Sequence, residues 1–308
     1  MDTSSNNTPE SAVVNAHGYN TSSTRPFYWS MRRELWENRS IYIAPLIVAV
    51  VVLLGFLIST IGMPERRQGV LLLEPTQQRA MIGVPYDVAA MVLIVTAFIV
   101  GVFYCLDALH SERRDRSILF WKSLPVSDFT TVLSKATIPL LILPLIIFAI
   151  TVVVQFLMLL WSSVVLLSSG LAGTTWTRFN LFQQSLILLY SLIVIVLWHA
   201  PIYGWALLIS GWARRATFLW AVLPFFAVAI LEKIAFDTSH FASMLKARVF
   251  DAGDTAFAFR PHRGLVIDSL AQLTPGRFLA TPGLWIGLAF AAAFVAIAVR
   301  QRRYRGPI

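Results

Sequence analysis

Six long apolar runs, separated by shorter polar stretches, set the pattern of this chain. A helix rises about 1.5 Å per residue, so about 20 apolar residues cross a hydrocarbon core of about 30 Å. The runs predict spans over Ile41–Gly62, Tyr86–Leu106, Ala136–Leu160, Gln184–Ser210, Thr217–Leu231 and Pro282–Val299. The fifth is the shortest and needs flanking residues to reach across. Ahead of the first span, 25–40 reads RPFYWSMRRELWENRS. Tyr28, Met31 and Leu35 recur at helical spacing beside Phe27, Trp29 and Trp36, and Arg32, Arg33, Glu34, Glu37 and Arg39 fill the rest. That pattern predicts an amphipathic helix lying in the membrane interface, with Pro26 in its first turn. The fold class is therefore all-α integral membrane: a six-transmembrane-helix bundle over 25–308 with an N-terminal interfacial helix over 25–40. Residues 1–24 are polar and rich in Ser, Asn and Thr, and are expected to form a disordered tail. No short apolar region with a small-residue cleavage site precedes the first span, so no removable signal peptide is expected.

Two connections carry more than spacing. Residues 107–135 join the second and third spans and include ERRDRSILFWKSLPVSD. Charges crowd Glu112–Arg116, and Ile118, Leu119, Phe120, Trp121 and Leu124 follow almost unbroken. Pro125 predicts a helix end near Ser123, and Ser127 or Asp128 an N-cap for the helix entering the third span. A short apolar, aromatic helix beside a basic cluster has two uses: it lies on the membrane surface, or it plugs into a cleft on a partner. The segment 236–281, between the fifth and sixth spans, is too long for a featureless loop. Within it Leu265, Val266, Leu270 and Leu273 fit one face of a short helix, and Val70–Glu74 in the first outer loop suggests a short helix or strand.

Composition agrees with the spans. The chain is 57% hydrophobic and 13% charged, where a soluble domain carries about 25% charged residues. Basic residues then give the orientation. With an even number of spans, one side holds Arg25, Arg32, Arg33 and Arg39, then Arg113, Arg114, Arg116, Lys122 and Lys135. The same side holds Arg214 and Arg215, and Arg300, Arg302, Arg303 and Arg305. The two short loops opposite hold only Arg66, Arg67, Arg79 and Arg178. Both termini are expected in the cytoplasm, which makes 107–135 a cytoplasmic loop and 236–281 an extracytoplasmic segment. The net charge of +9 is then a topology signal and a means of contact with anionic lipid, and nucleic acid is not an expected partner.

Candidate chemistry is sparse. One cysteine, Cys105, excludes an internal disulfide and a cysteine-cluster metal site. The histidines at 17, 110, 199, 240 and 262 lack ligand spacing, so no metal is expected. No G-x-x-x-x-G-K-[ST] run occurs, so the chain binds no nucleotide through a P-loop. The span interiors lack carboxylates and basic residues, which disfavours an ion-coupled secondary carrier. Gln155 and His199 are the polar candidates at depth, and His199, in WHAPIYGW, reads as a hydrogen-bonded structural residue beside Pro201. Ser210 offers no nucleophile arrangement, and no catalytic residue is expected.

The run ERRDRSILFWKSLPVSD, with SLPVS at Ser123–Ser127, resembles the loop between spans two and three of ABC-2 type transporter permeases, the membrane subunits of ATP-driven exporters. The six spans, the interfacial helix, the long segment before the last span and the basic C-terminus fit the same pattern over roughly 25–305. The resemblance implies a permease subunit in a bacterial cytoplasmic membrane that forms the substrate pathway with a second permease copy, identical or related. It implies that this loop is a coupling helix seated in a separate ABC-type ATPase, which would carry ATP and magnesium; no cofactor is expected in this chain. By matching position, the coupling contact falls on Glu112, Arg113, Arg114, Asp115, Arg116, Ile118, Leu119, Phe120 and Trp121. It also implies re-entrant or lid-like helices before the last span. The alternatives are a secondary carrier and a non-transporting scaffold or sensor.

Overall fold

The computed structural model describes residues 24–123, 126–258 and 269–308. The disordered tail expected before Thr24 lies outside them, as do Leu265 and Val266. Helix α1 (Thr24–Glu37) precedes α2 (Ser40–Ser59), and a short α3 (Met63–Leu71) leads to α4 (Pro75–Ala108). Three short helices follow: α5 (His110–Arg114), α6 (Ser117–Ser123) and α7 (Asp128–Thr137). A π turn at Ile138–Ile142 joins α7 to α8 (Leu143–Val165) without a break in direction. Pro139 has no N–H to give, and the wider turn accommodates it. Then come α9 (Gly173–Arg178), α10 (Leu181–Trp212), α11 (Thr217–Phe236), α12 (His240–Phe250), α13 (Ala252–Ala256), α14 (Pro275–Leu279) and α15 (Pro282–Tyr304). No strand occurs among the described residues; Phe257 and Leu273 form an isolated antiparallel bridge.

Among the described residues, six helices are long and apolar enough to cross a membrane, and the chain is a multi-pass membrane protein. They coincide with the six predicted spans, but two run well past the predicted ends. With 34 residues, α4 is about 51 Å long. The third span starts at Asp128, eight residues before the expected Ala136. Polar side chains at these ends are buried inside the protein, so the apolar pattern understates the helices. Gln78 is one: its Nε2 donates to the carbonyls of Leu71 and Leu73.

The core lies between α2, α4, α8 and α10, around Leu93, Cys105, Ile138, Leu143, Ile147 and Leu159. Helix α10 is central, packing most extensively on α15 and α4. Gly204 makes that approach possible, since a Cβ there would lie 3.1 Å from the Ala291 carbonyl oxygen. In α11 Ala221 is the buried residue, so this helix lies at the periphery. The segment between the fifth and sixth spans folds back onto the bundle: Tyr190 donates to the Ala256 carbonyl at 3.1 Å, and Trp198 packs near Phe278. The helix expected around Leu270 and Leu273 is a single 3-10 turn, Leu270–Gln272, capped by Ser269, with Leu273 turned into the bridge with Phe257.

Candidate functional site: a buried ionic cluster beneath an apolar knob

The basic residues that indicated topology converge at one end of the bundle. On α1, Glu34 points inward, 1% exposed, on the face opposite the exposed Trp29 and Trp36. Glu34 can be enclosed because donors from three elements replace its hydration. Lys135 Nζ on α7 lies 2.7 Å from Glu34 Oε1, Arg33 Nη2 2.9 Å from the same oxygen, and the Tyr104 hydroxyl on α4 donates to Oε2 at 2.9 Å. Glu112 on α5 joins the group, with Oε1 2.9 Å from Arg33 Nη2 and 3.2 Å from Lys135 Nζ. Its Oε2 takes Arg302 Nη2 on α15 at 3.2 Å, and Arg302 Nη1 also pairs with Asp128. Three cations, Arg33, Lys135 and Arg302, thus face Glu34, Glu112 and Asp128, with the half-exposed Glu37 3.4 Å from Arg33 Nε at the edge. Every buried ion of the cluster is paired, in a site where an unpaired ion would cost several kcal/mol. Burial works against the charge of Arg33, but the carboxylates of Glu34, Glu37 and Glu112 outweigh it and hold its pKa above the ordinary value.

A second set of contacts fixes the same end. Arg113 Nη1 donates to the Gly211 carbonyl at 2.7 Å and its Nε to the Gly306 carbonyl at 3.2 Å; Arg305 Nη1 donates to the Trp212 carbonyl at 2.7 Å. These arginines satisfy the last carbonyls of α10, where cations are favoured. Ser210 Oγ accepts from the backbone N–H groups of Leu109 and His110, each at 2.9 Å, closing the break between α4 and α5. Its role is to bridge helices, and Cys105 is a fully buried packing residue.

The nine residues assigned by resemblance divide into two groups. Glu112, Arg113 and Ile118 are buried, the first two in the contacts above. Trp121 is half-buried, with the Arg33 guanidinium 3.8 Å from its ring centroid. Arg114, Asp115, Arg116, Leu119 and Phe120 are exposed. Arg114 and Asp115 pair with each other at 3.1 Å, both open to solvent. Arg116 has φ +58°, a left-handed conformation uncommon for a residue that carries a Cβ, and it turns the chain between α5 and α6. Helix α6 is described as far as Ser123, and the end expected at Pro125 lies outside the described residues; Ser127 caps α7 by accepting from the Thr130 N–H at 3.0 Å, as the sequence predicted. What α6 presents is a knob: Leu119 and Phe120, 59% and 60% exposed, with Ile118 and Trp121 anchoring them from behind.

Glu34, Tyr104, Lys135, Asp128 and Arg302 were not singled out as site residues by sequence. A signal existed in α7, where Asp128, Thr131 and Lys135 follow one another at helical spacing on an otherwise apolar approach to the third span.

Elsewhere, His199 is held between two carbonyls, Nδ1 2.8 Å from Ile195 O and Nε2 3.1 Å from Val249 O, and so ties α10 to α12. Gln155 Nε2 donates to the Tyr86 carbonyl at 3.2 Å. Among the described residues no group of His, Cys, Asp and Glu is placed to hold a metal ion. Compared with known proteins, the chain matches no family model, no curated protein and no solved structure.

Proposed function

We propose that this chain is the transmembrane permease subunit of an ABC exporter, in which α6 is the coupling helix. The observation that carries the reading is the division of labour in 112–121: an exposed apolar knob, Leu119–Phe120, seated on side chains locked into the bundle. A surface helix that merely lay on lipid would have no need of that anchorage. In this reading a separate ABC-type ATPase receives the knob. Closure of two ATPase subunits pushes α6, and Glu112 and Arg113 pass the displacement to α1, α7, α10 and α15. A rigid-body switch of this kind opens the pathway outward. Two permease copies, identical or related, line that pathway. The basic end faces the cytoplasm with both termini, in a bacterial inner membrane, and the segment before the last span lies at the exit.

The test is affinity purification of the tagged full-length chain in mild detergent, with mass spectrometry of co-purifying proteins. An ABC ATPase near stoichiometry is expected with the wild type and is expected to be lost on Leu119→Ala/Phe120→Ala. These exposed positions are the ones to change, because charge reversal at Arg113 would disturb the helix ends it caps. A stable protein that retains no ATPase, or capture unaffected by the double substitution, would overturn the assignment.

A further inference from the structure

An apolar groove of about 510 Å³ runs along the side of the bundle between α7 with its π turn, α10 and α15. Leu133, Leu140, Tyr203, Leu207, Val295 and Val299 are among its walls. Its volume falls in the range of small-molecule sites, about 300–1,000 Å³. The groove exists because α15 offers only methyl groups at Ala291, Ala292 and Ala296, while Gly204 draws α10 close behind them. Along α15 its wall extends from Leu288 to Val299, about 17 Å of helix. That is close to half of a hydrocarbon core of about 30 Å, the depth of one leaflet.

On α15 its wall stops at Val299, next to the basic end. One turn beyond Ala296 stands Arg300, and one turn beyond Val299 stands Arg303, both exposed. Neither has an ion-pair partner among the described residues, whereas their neighbour Arg302 is spent on Glu112 and Asp128. Lys122 closes the rim from α6, its Nζ 3.3 Å from the Arg303 carbonyl oxygen and 3.2 Å from that of Arg305. We propose that the groove holds an acyl chain of an anionic phospholipid from the leaflet at the basic end, with its phosphate bound by Arg300, Arg303 and Lys122. One-leaflet depth and apolar walls suit the chain, and an uncompensated basic rim suits the phosphate. A second copy seated symmetrically on this face would bring an identical basic rim against the first, which electrostatics opposes. The inference stands apart from the transport reading, since it needs neither an ATPase nor a cargo.

The experiment uses the purified full-length protein with equimolar phosphatidylglycerol and phosphatidylcholine of matched acyl chains, and bound lipid is counted by native mass spectrometry. The wild type is expected to select phosphatidylglycerol. Each arginine removed is expected to lower that selection about fivefold, so R300Q/R303Q approaches parity while lipid is still bound. Filling the groove with A292F is expected to remove the retained lipid whatever its headgroup. Circular dichroism and the unfolding midpoint establish that each variant is folded, and the charge variant, on exposed positions, decides the matter if A292F is not. Undiminished selection in R300Q/R303Q would overturn the proposal, as would a folded A292F that keeps its phosphatidylglycerol. Loss of a dimer in A292F with lipid unchanged would place a second copy in the groove instead.

Discussion

Glu34 is more deeply buried than any other described acid, although its surrounding sequence is that of a surface-lying helix. Its partners explain the position: an ammonium, a guanidinium and a phenol replace the water it loses. Removing one member leaves the rest uncompensated, so Glu34→Gln and Lys135→Met are each expected to cost about 3–5 kcal/mol. The double variant is expected to cost less than their sum, because the pair leaves together. Unfolding midpoints in detergent, taken as a double-mutant cycle, check both. A contrast is expected at adjacent arginines. Arg114→Glu, on an exposed side chain, should stay within about 0.5 kcal/mol. Arg113→Glu, which strips three carbonyl contacts, should cost about 2–3 kcal/mol; the same melts separate them. Hydropathy treats Glu and Lys as solvated, which is why these residues were legible as charges and not as a cluster. The polar stripe of α7 was visible, but its partner in α1 lies 101 positions away, and no local pattern encodes that distance.

Helix α6 is defined by how it is held. The Ser127 cap that follows it was readable, since a cap is local chemistry. The break at Arg116 was not, because nothing in an arginine announces a left-handed φ. The six spans were legible from length and apolarity, while their extensions were not, because residues such as Gln78 are polar yet enclosed. Packing makes the two faces of α6 behave differently. Ile118→Ala, at 1% exposure, is expected to destabilise by about 2–4 kcal/mol. Leu119→Ala and Phe120→Ala are expected to leave stability within about 0.5 kcal/mol. Thermal melts of the three variants in detergent measure this, and a large loss for Phe120→Ala would mean that the knob is packed within the chain.

Across the whole molecule, basic residues gather at one end of a bundle whose membrane-crossing helices number six among the described residues, and the proposed orientation, with that end in the cytoplasm, rests on this asymmetry. Cys105 is fully buried, so the natural chain provides a silent background for labelling. A Gly306→Cys variant is expected to react with a membrane-impermeant maleimide only after cells are opened; reaction in intact cells would place the C-terminus outside. The span count was available from sequence because each span declares itself in about 20 consecutive residues. The groove and the ionic cluster were not, because each is made where distant helices meet. The cluster also has a consequence in time. Its members are synthesised in order from Glu34 to Arg302, so Glu112 and Asp128 wait for a counter-charge carried by α15. A chain stalled before α15 holds Glu112 and Asp128 without Arg302, an incomplete charge set inside a nearly finished bundle. Such a product is open to the proteases that clear unassembled membrane proteins, and arrival of the last helix is the event that ends its vulnerability.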